Sequence, residues 1–419
     1  MWKRCWCVVA AILLSAGAAR AQGQDGPVLP PANDVGPVMP PPTEEVVEFT
    51  PMAQLARTLA SSDARLWANA DYLFAFMRGS QPIPLATTAA SGTPRSQAGI
   101  LGQPTTAVLF GSDRFGDNLR AGFRVAAGLW FNPEQTLGIE GGFLMTSSQA
   151  GIFSAASGNG TILARPYIDA TTGLPQAVLV AFPGLSNGSI DIRANTGNVY
   201  SFNLDLSEKA FDTGSFRVYS LFGYKFYRYD ESLRVQQTIA PLAGGAFVPG
   251  TLITSNDNFS TRNEFHGLDL GFRSELALSD RLKLEVLTKV AVGRLHRDVD
   301  IGGNQTSLVP GAAPVTQIGG VLALSSNQTS FAESDWRAIP EVGVNFAWQI
   351  RPSTMLRVGW SFIYFAQFAR AADQIDPNIN PHLLPGANAA LGGPNSPAFN
   401  LQRSDLWLQS FNLGLEFVY

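Results

Sequence analysis

The sequence predicts an all-β fold, a transmembrane antiparallel up-and-down β-barrel of about ten strands with long outer loops and short periplasmic turns. Three observations predict it. Apolar and polar residues alternate with a period of two along about ten segments, as in strands that have one apolar face. The gaps between these segments alternate between long and short, as in outer-membrane barrels. Charged residues make up only 15% of the chain, against roughly 25% in soluble domains.

The first predicted strand illustrates the pattern. One face of this strand carries Leu66, Ala68, Ala70, Tyr72, Phe74 and Phe76. The remaining strands repeat this alternation, and several exceed the roughly 9–11 residues needed to cross a bilayer at a tilt. Some hairpins are therefore expected to project beyond the lipid. The predicted strands are residues 65–77, 120–131, 137–148, 199–207, 215–231, 262–278, 282–299, 335–350, 355–368 and 404–419.

The last predicted strand shows the alternation most clearly. Its apolar row is broken by no charge and ends on an aromatic residue. A closed barrel needs such a strand, because its last strand must pair with its first. The row is therefore expected to face lipid and to serve in barrel assembly. Its members are Phe411, Leu413, Leu415, Phe417 and Tyr419.

The N-terminal region predicts export from the cytoplasm. Lys3 and Arg4 precede a short apolar run, and small residues follow it. This is the pattern of a signal peptide over residues 1–21, cleaved between Ala21 and Gln22. Residues 22–62 are rich in proline and predict a periplasmic linker, which leaves residues 63–419 for the barrel. Both cysteines, Cys5 and Cys7, lie in the signal peptide, so disulfides and thiolate metal sites are not expected in the mature chain.

The charged residues of the predicted strands alternate with the apolar rows. They therefore lie on the other face of each strand and are expected to face the lumen. Both signs are mixed, which favours paired charges that fill the lumen, because ten strands form a barrel only slightly wider than the eight-stranded kind. The alternative is a narrow channel with a selective lining. The predicted lumen charges are Arg124, Glu140, Lys225, Asp269, Arg273, Glu275, Lys283, Glu285, Lys289, Glu341, Arg357 and Glu416.

Aromatic residues near the predicted strand ends favour interfacial girdles. Trp67, Phe131, Trp348 and Tyr419 are expected on the periplasmic side. On the outer side the expected members are Phe76, Tyr364 and Trp407.

Evidence for chemistry is sparse. His296 with Asp298 or Asp300 is the best candidate for a rim histidine–aspartate pair of an outer-membrane protease, and residues 373–380 offer oxygen atoms suited to Ca²⁺. A solvated histidine and ordinary turn residues are the commoner explanations. We therefore predict no enzyme, no metal and no cofactor. The formal charge of −4 predicts no nucleic-acid partner, since those proteins present basic patches.

Several motifs resemble the putative beta-barrel porin-7 family of outer-membrane proteins. The resemblance covers nearly all of the chain after the linker and implies an outer-membrane barrel, whereas the porin name alone does not establish transport. We expect contact with outer-membrane lipid and the barrel-assembly machinery, and a structural or surface-interaction role with a largely plugged lumen; the alternative is a narrow porin-like channel for ions or small solutes. The motifs are residues 67–73, 78–79, 84–88, 102–104, 108–111, 221–227, 340–341, 370, 373–376, 380–381 and 412–417.

Overall fold

The computed structural model describes residues 65–157, 160–242, 247–387 and 392–419. The predicted signal peptide, its cleavage pair Ala21 and Gln22, and the predicted linker over residues 22–62 lie outside these ranges. The described chain consists mainly of strands, with two short 3-10 helices, Ala372–Gln374 and Pro381–Leu383. Within the same ranges, no helix has the length and apolar character needed to cross a membrane.

The strands vary widely in length, and the longest lie in the middle of the chain. In chain order they are β1 (Arg65–Met77), β2 (Ala86–Ala89), β3 (Thr106–Phe110), β4 (Arg120–Trp130), β5 (Leu137–Thr146), β6 (Gln149–Ala156), β7 (Ile162–Asp169), β8 (Pro175–Ala181), β9 (Ser186–Asp212), β10 (Phe216–Pro241), β11 (Leu252–Ser279), β12 (Leu282–Leu308), β13 (Val315–Ile318), β14 (Thr329–Arg351), β15 (Thr354–Ala369), β16 (Asn378–Ile379) and β17 (Arg403–Val418).

Ten strands pair into a closed ring. Their order is β1, β4, β5, β9, β10, β11, β12, β14, β15 and β17, and β17 pairs again with β1. Every pairing in the ring is antiparallel. The closing pair runs from Trp67 opposite Val418 to Met77 opposite Leu408. The ring therefore has no open edge, and the predicted up-and-down barrel is confirmed.

The C-terminal row lies on the outside of this ring. Phe411, Leu413 and Leu415 are half-exposed, and Tyr419 is exposed. Asn412 and Glu416, which alternate with them, are buried inside. Successive side chains of a strand point to opposite faces, so the apolar row of β17 faces outward and its polar row faces the lumen.

The long strands extend further than predicted because their apolar row changes face at the membrane boundary. On β11, the outward-facing Leu268 and Leu270 are exposed apolar residues, as the lipid requires. Further out, Phe265, Phe259 and Ile253 are buried on the inward face of the same strand. The row of alternating apolar residues on one face of the strand stops at this change of face. The prediction of residues 262–278 therefore omitted the outer part of β11.

The outer connections are not irregular loops throughout. A second sheet joins β16, β7, β2 and β3 in that order, with β8 paired to β7. In addition, β6 extends the wall beside β9, and β13 pairs with β12. Several of these pairings, such as β2 with β7 and β6 with β9, join segments far apart in the sequence, so alternation within each short segment did not reveal them.

The outer edge of the lipid-facing belt is sharp. Residues that pair across β10, β11, β12 and β14 form horizontal rows, and three successive rows change from apolar, through mixed aromatic and cationic, to polar. Aromatic residues are typical of membrane–water boundaries, so the middle row marks the outer interface. In outward order, the rows are Tyr224, Leu268, Val292 and Ala338, then Phe226, His266, Arg294 and Trp336, then Arg228, Glu264, His296 and Ser334.

This boundary gives a first testable prediction. Replacing Leu270 with arginine puts a charge on the lipid face, well inside the belt, and is expected to lower the free energy of unfolding by about 2–4 kcal/mol. Asn258→Arg is the matched control, because Asn258 lies on the outward face of the same strand beyond the boundary. Denaturant unfolding in lipid vesicles measures both variants. Equal effects of the two would contradict the position of the belt.

Candidate functional site

Near the periplasmic end, an aromatic–cation contact reaches across the lumen; it is called here the lower layer (Trp67, Tyr219 and Arg273). The Arg273 guanidinium carbon lies 5.5 Å from the centre of the Trp67 ring and 5.0 Å from that of Tyr219. Trp67 is on β1 and Arg273 on β11, which face each other across the ring. The expectation that Trp67 belongs to the periplasmic girdle is therefore wrong, because its side chain lies on the inward face of β1.

A glycine makes room for this tryptophan. Gly128 on β4 pairs with Trp67, and a Cβ added to Gly128 would lie only 2.5 Å from the indole ring. Any larger residue would therefore push Trp67 out of the lower layer. A small residue thus packs closely against a large one at this level of the barrel.

Above the lower layer, charged side chains from different strands form the ion-pair network. Several of its shortest contacts join strands that are not neighbours in the ring, so these pairs reach across the lumen and do not merely line it. The Lys289 ammonium on β12 contacts Asp205 on β9 at 2.5 Å and Asp269 at 3.1 Å. Lys225 on β10 contacts Glu341 on β14 at 2.7 Å.

Arg357 is the most highly connected member of this network. Its guanidinium donates to Glu416 at 2.5 Å and to Glu285 at 3.2 Å, and its Nε lies 3.6 Å from Asp71. Arg357 is only 5% exposed. Carboxylates taken out of water need such partners, because an unpaired buried charge is strongly destabilising.

All of the predicted lumen charges point into the barrel. Two further ion pairs belong to the network. Arg273 contacts Glu140 at 2.5 Å, and Lys283 contacts Glu416 at 3.0 Å. Arg124 donates to the Ser361 hydroxyl at 3.0 Å. Glu275 lies 3.8 Å from Arg273 and 3.9 Å from Lys283, at the edge of the network.

Two carboxylates of the network are absent from the predicted set. Asp71 is 3% exposed and Asp205 is 1% exposed. Both have the inward parity of their strands, since Asp71 precedes the outward Tyr72 and Asp205 follows the outward Leu204. Parity alone could therefore have identified them.

The network encloses little free space. A cavity of about 90 Å³ lies among Arg124, Lys225, Glu341 and Arg357. Ligand pockets usually have about 300–1,000 Å³, so this cavity is too small for a typical small-molecule ligand. A second cavity of about 240 Å³ lies at the periplasmic mouth beside Arg65 and Trp130.

Above the network lies an aromatic layer, defined by Tyr227, Phe265, Leu295, Phe365 and Phe368. Each is 1% exposed or less. The Tyr227 ring on β10 meets the Phe365 ring on β15 edge to face, with centroids 5.1 Å apart. Three strands separate β10 from β15 even on the shorter way around the ring. Side chains from far sides of the wall therefore touch in the middle of the lumen.

Tyr227 also connects this layer to the charges below. Its hydroxyl donates to Glu341 at 3.0 Å, the carboxylate that Lys225 also contacts. The aromatic layer and the ion-pair network consequently form one packed unit.

An arginine holds the chain that returns over the aromatic layer. Arg370 donates through two nitrogens to Glu231 at 2.7 and 3.0 Å, and to the Gly79 carbonyl at 2.9 Å. The Tyr229 hydroxyl donates to the same carboxylate at 2.6 Å. Arg370 belongs to the motifs quoted above, and this geometry ties the end of β15 to the wall of β10.

Loops fill the outer end of the barrel, and this outer plug comprises residues 320–324 and 369–379. Its buried apolar side chains pack in one cluster with inward residues of β9 to β12. Asp257 on β11 anchors it, since one carboxylate oxygen accepts from the backbone amides of Val321, Leu322 and Ala323 at 2.8–3.0 Å. The other oxygen accepts from Arg165 at 2.6 Å.

A second group of charges lies outside the membrane at the rim. Arg297, which is fully buried, donates to Glu333 and Asp335 at 3.0 Å. Arg403 donates to both oxygens of Glu333, and this hydrogen-bonded guanidinium lowers the pKa of the Glu333 carboxyl. The group therefore joins β12, β14 and β17 at the rim.

The candidate protease pair has a different environment from that of a rim cleft. His296 Nε2 lies 3.0 Å from Asp298 and Nδ1 lies 2.8 Å from the Ser334 hydroxyl; no hydrogen bond joins His296 to Asp300 among the described residues. The group lies in the outward polar row just beyond the lipid belt. It therefore belongs to the outer surface of the wall and not to the lumen.

The candidate calcium segment uses its oxygens in local turns. One oxygen of Asp376 accepts from the backbone and side chain of Asn378, and the other accepts from the Ala398 amide at 3.0 Å. Among the residues that the structure describes, no group of three or more histidine, cysteine or acidic side chains could hold a metal ion.

Comparison with solved structures finds barrels of low similarity. The outer-membrane protease OmpT from Escherichia coli is 9% identical with a TM-score of 0.42, and the match covers 85% of this chain and 97% of that one. The CymD monoaromatic hydrocarbon channel is 10% identical with a TM-score of 0.26, covering 86% and 90%. A Pseudomonas aeruginosa FadL homologue is 9% identical with a TM-score of 0.23, covering 86% and 92%.

The family comparison is more specific. No curated protein matches the chain. The family described as putative beta barrel porin-7 matches residues 67–419, which is nearly all of the predicted barrel region. This match confirms the resemblance drawn from the motifs. The chain therefore belongs to the putative beta barrel porin-7 family and is a β-barrel protein of the outer membrane.

Proposed function

We propose that this protein acts at the cell surface as a structural and interaction protein whose lumen is largely plugged. The observation that carries the proposal is the contact between Tyr227 and Phe365 across the lumen. Protein interiors are packed as densely as organic crystals, so buried rings that meet in this way leave no continuous path. The lower layer and the outer plug support the same function.

The outer part of the protein supplies the surface that such a role requires. β9 to β12 extend well beyond the lipid belt, and the second sheet lies among the outer connections. Under this proposal, the lipid belt contacts outer-membrane lipid. The C-terminal row on β17 is the segment that the barrel-assembly machinery binds, and the outer connections meet a surface partner.

A narrow porin-like channel for ions or small solutes is the second candidate. The family description and the polar cavities of about 90 and 240 Å³ favour it. Conduction would require Trp67 to leave the lower layer, Tyr227 and Phe365 to separate, and the outer plug to move. Three separate barriers would have to open, which favours the plugged barrel.

Planar-bilayer conductance distinguishes these two functions. We expect the purified protein to give no steady openings, because the aromatic layer and the plug block the lumen. A general diffusion porin reconstituted in the same lipid is the control for insertion, and protease protection in vesicles checks that this protein has inserted. Steady openings from the wild-type protein would contradict the proposal and support the channel.

The proposal includes no catalytic role. His296 lies on the outward surface of the wall with Asp298 and Ser334, where a polar histidine is readily solvated. The His296→Ala variant is expected to leave any peptide-cleaving activity of a preparation unchanged. Loss of such activity in this variant would support an outer-membrane protease instead.

A further inference from the structure

A large cleft lies at the extracellular end of the protein, away from the ion-pair network. Its volume is about 1020 Å³, at the upper end of the range of small-molecule pockets. The second sheet, the outer parts of β10 and β11, and the outer plug each contribute to its lining. The apolar side chains of this surface cleft include Val178, Leu179, Leu185, Ile239, Ile253 and Leu384.

One buried polar group in this lining lacks a partner. Gln237 lies on the inward face of β10 and is 2% exposed, and its side-chain oxygen Oε1 makes no hydrogen bond with any residue that the structure describes. Two other polar side chains in the same lining have partners. Ser186 donates to the Val180 carbonyl at 3.3 Å, and Gln305 accepts from Ser255 at 3.0 Å. Buried polar groups in proteins are nearly always hydrogen-bonded, so the Gln237 acceptor calls for an explanation.

The charge of the lining restricts what could enter. Among the described residues that form the cleft, Arg95 is the only charged one, and it lies exposed. None of the described lining residues is acidic, so none of them offers a carboxylate to a cation. An apolar body loses no hydrogen bonds on entering such a cleft, whereas an ionised group would lose its hydration.

We propose that the surface cleft binds a small, uncharged and largely apolar molecule that carries one hydrogen-bond donor. The buried Gln237 amide turns toward the cleft so that its Oε1 accepts from this donor, and the apolar body packs against Val178, Ile239 and Leu384. The cleft lies among the outer elements, so a ligand reaches it without passing through the lumen. This inference therefore does not depend on whether the barrel conducts.

A pair of probes that differ only in the donor tests this site. 1-Naphthol has an apolar ring system and one hydroxyl donor, and 1-methoxynaphthalene has the same rings without the donor. We expect the full-length protein in lipid nanodiscs to bind 1-naphthol about threefold to tenfold more tightly, the usual contribution of one hydrogen bond. Fluorescence titration measures both affinities, and empty nanodiscs correct for partition into lipid.

Two matched variants assign the preference to Gln237. Gln237→Leu removes the acceptor at similar size and is expected to make the two probes bind equally. Gln236→Leu makes the same change on the opposite face of the same strand and is expected to keep the preference. Heat-dependent gel mobility checks that each variant forms a folded barrel. A preference that persists in Gln237→Leu would overturn the role of Gln237.

A third variant tests the cleft itself. Ile239→Trp places a larger side chain in the cleft and is expected to abolish the binding of both probes. The proposal is overturned if neither probe binds the wild-type protein above the nanodisc background, if both bind it equally, or if the folded Ile239→Trp protein binds them as the wild type does.

Discussion

Replacing Arg357 with methionine is expected to destabilise the folded barrel by about 3–5 kcal/mol, the usual cost of removing one partner from a buried ion pair. The side chain contacts Glu285 and Glu416 and lies near Asp71. Methionine fills much of the same space but leaves these carboxylates without their main cation. Equilibrium unfolding by denaturant in lipid vesicles measures the loss of free energy.

Arg351→Met is the matched control for this experiment. Arg351 ends β14 at a turn, and its side chain is exposed, so the change is expected to stay within about 0.5 kcal/mol. Adding Glu285→Gln and Glu416→Gln to Arg357→Met is expected to recover part of the stability, because these changes remove the charges left unpaired. An unfolding midpoint of Arg357→Met equal to that of the wild type would show that the network contributes nothing.

The second large effect is expected from Asp257→Ala. This change removes the acceptor of the Val321, Leu322 and Ala323 amides and the partner of the buried Arg165. The outer plug should then open locally while the barrel wall stays paired. If the free energy of local opening falls by about 3 kcal/mol or more, amide exchange at these three positions should become at least about a hundredfold faster.

Hydrogen exchange followed by mass spectrometry measures this opening. Asp191→Ala is the control, because Asp191 lies on an outer strand, β9, but makes only an exposed contact with Ser154. Faster exchange confined to the plug in Asp257→Ala is the expected pattern. The anchor assigned to Asp257 is wrong if both variants exchange like the wild type.

The sequence predicted the wall of the barrel well because lipid imposes a simple rule on it. Inside the belt outward positions are predominantly apolar, and Phe411, Leu413 and Leu415 follow that rule along a single strand. The same alternation predicted residues 65–77 with the bounds that β1 has. Beyond the lipid the rule no longer applies, so the outer parts of β9 to β12 were missed.

The candidate site was predicted only in part. Parity identified the residues that point inward, including Lys289 and Glu341, but parity carries no information on which strands lie opposite each other. Trp67 was assigned to a girdle because aromatic residues near strand ends are typical of interfaces. Its contact with Arg273 depends on β1 and β11 facing each other across the ring, which neither segment encodes alone.

By itself, the sequence predicted that this chain forms a closed antiparallel barrel in the outer membrane, and it predicted most of the charged residues that face away from lipid. Only the tertiary structure decided that Tyr227 meets Phe365 across the lumen and that Asp257 holds the outer plug. The physical reason is the separation in sequence between the residues that interact. Alternation is imposed by contact with lipid residue by residue, whereas pairs across the lumen join residues far apart in the chain through the curvature and register of the whole ring.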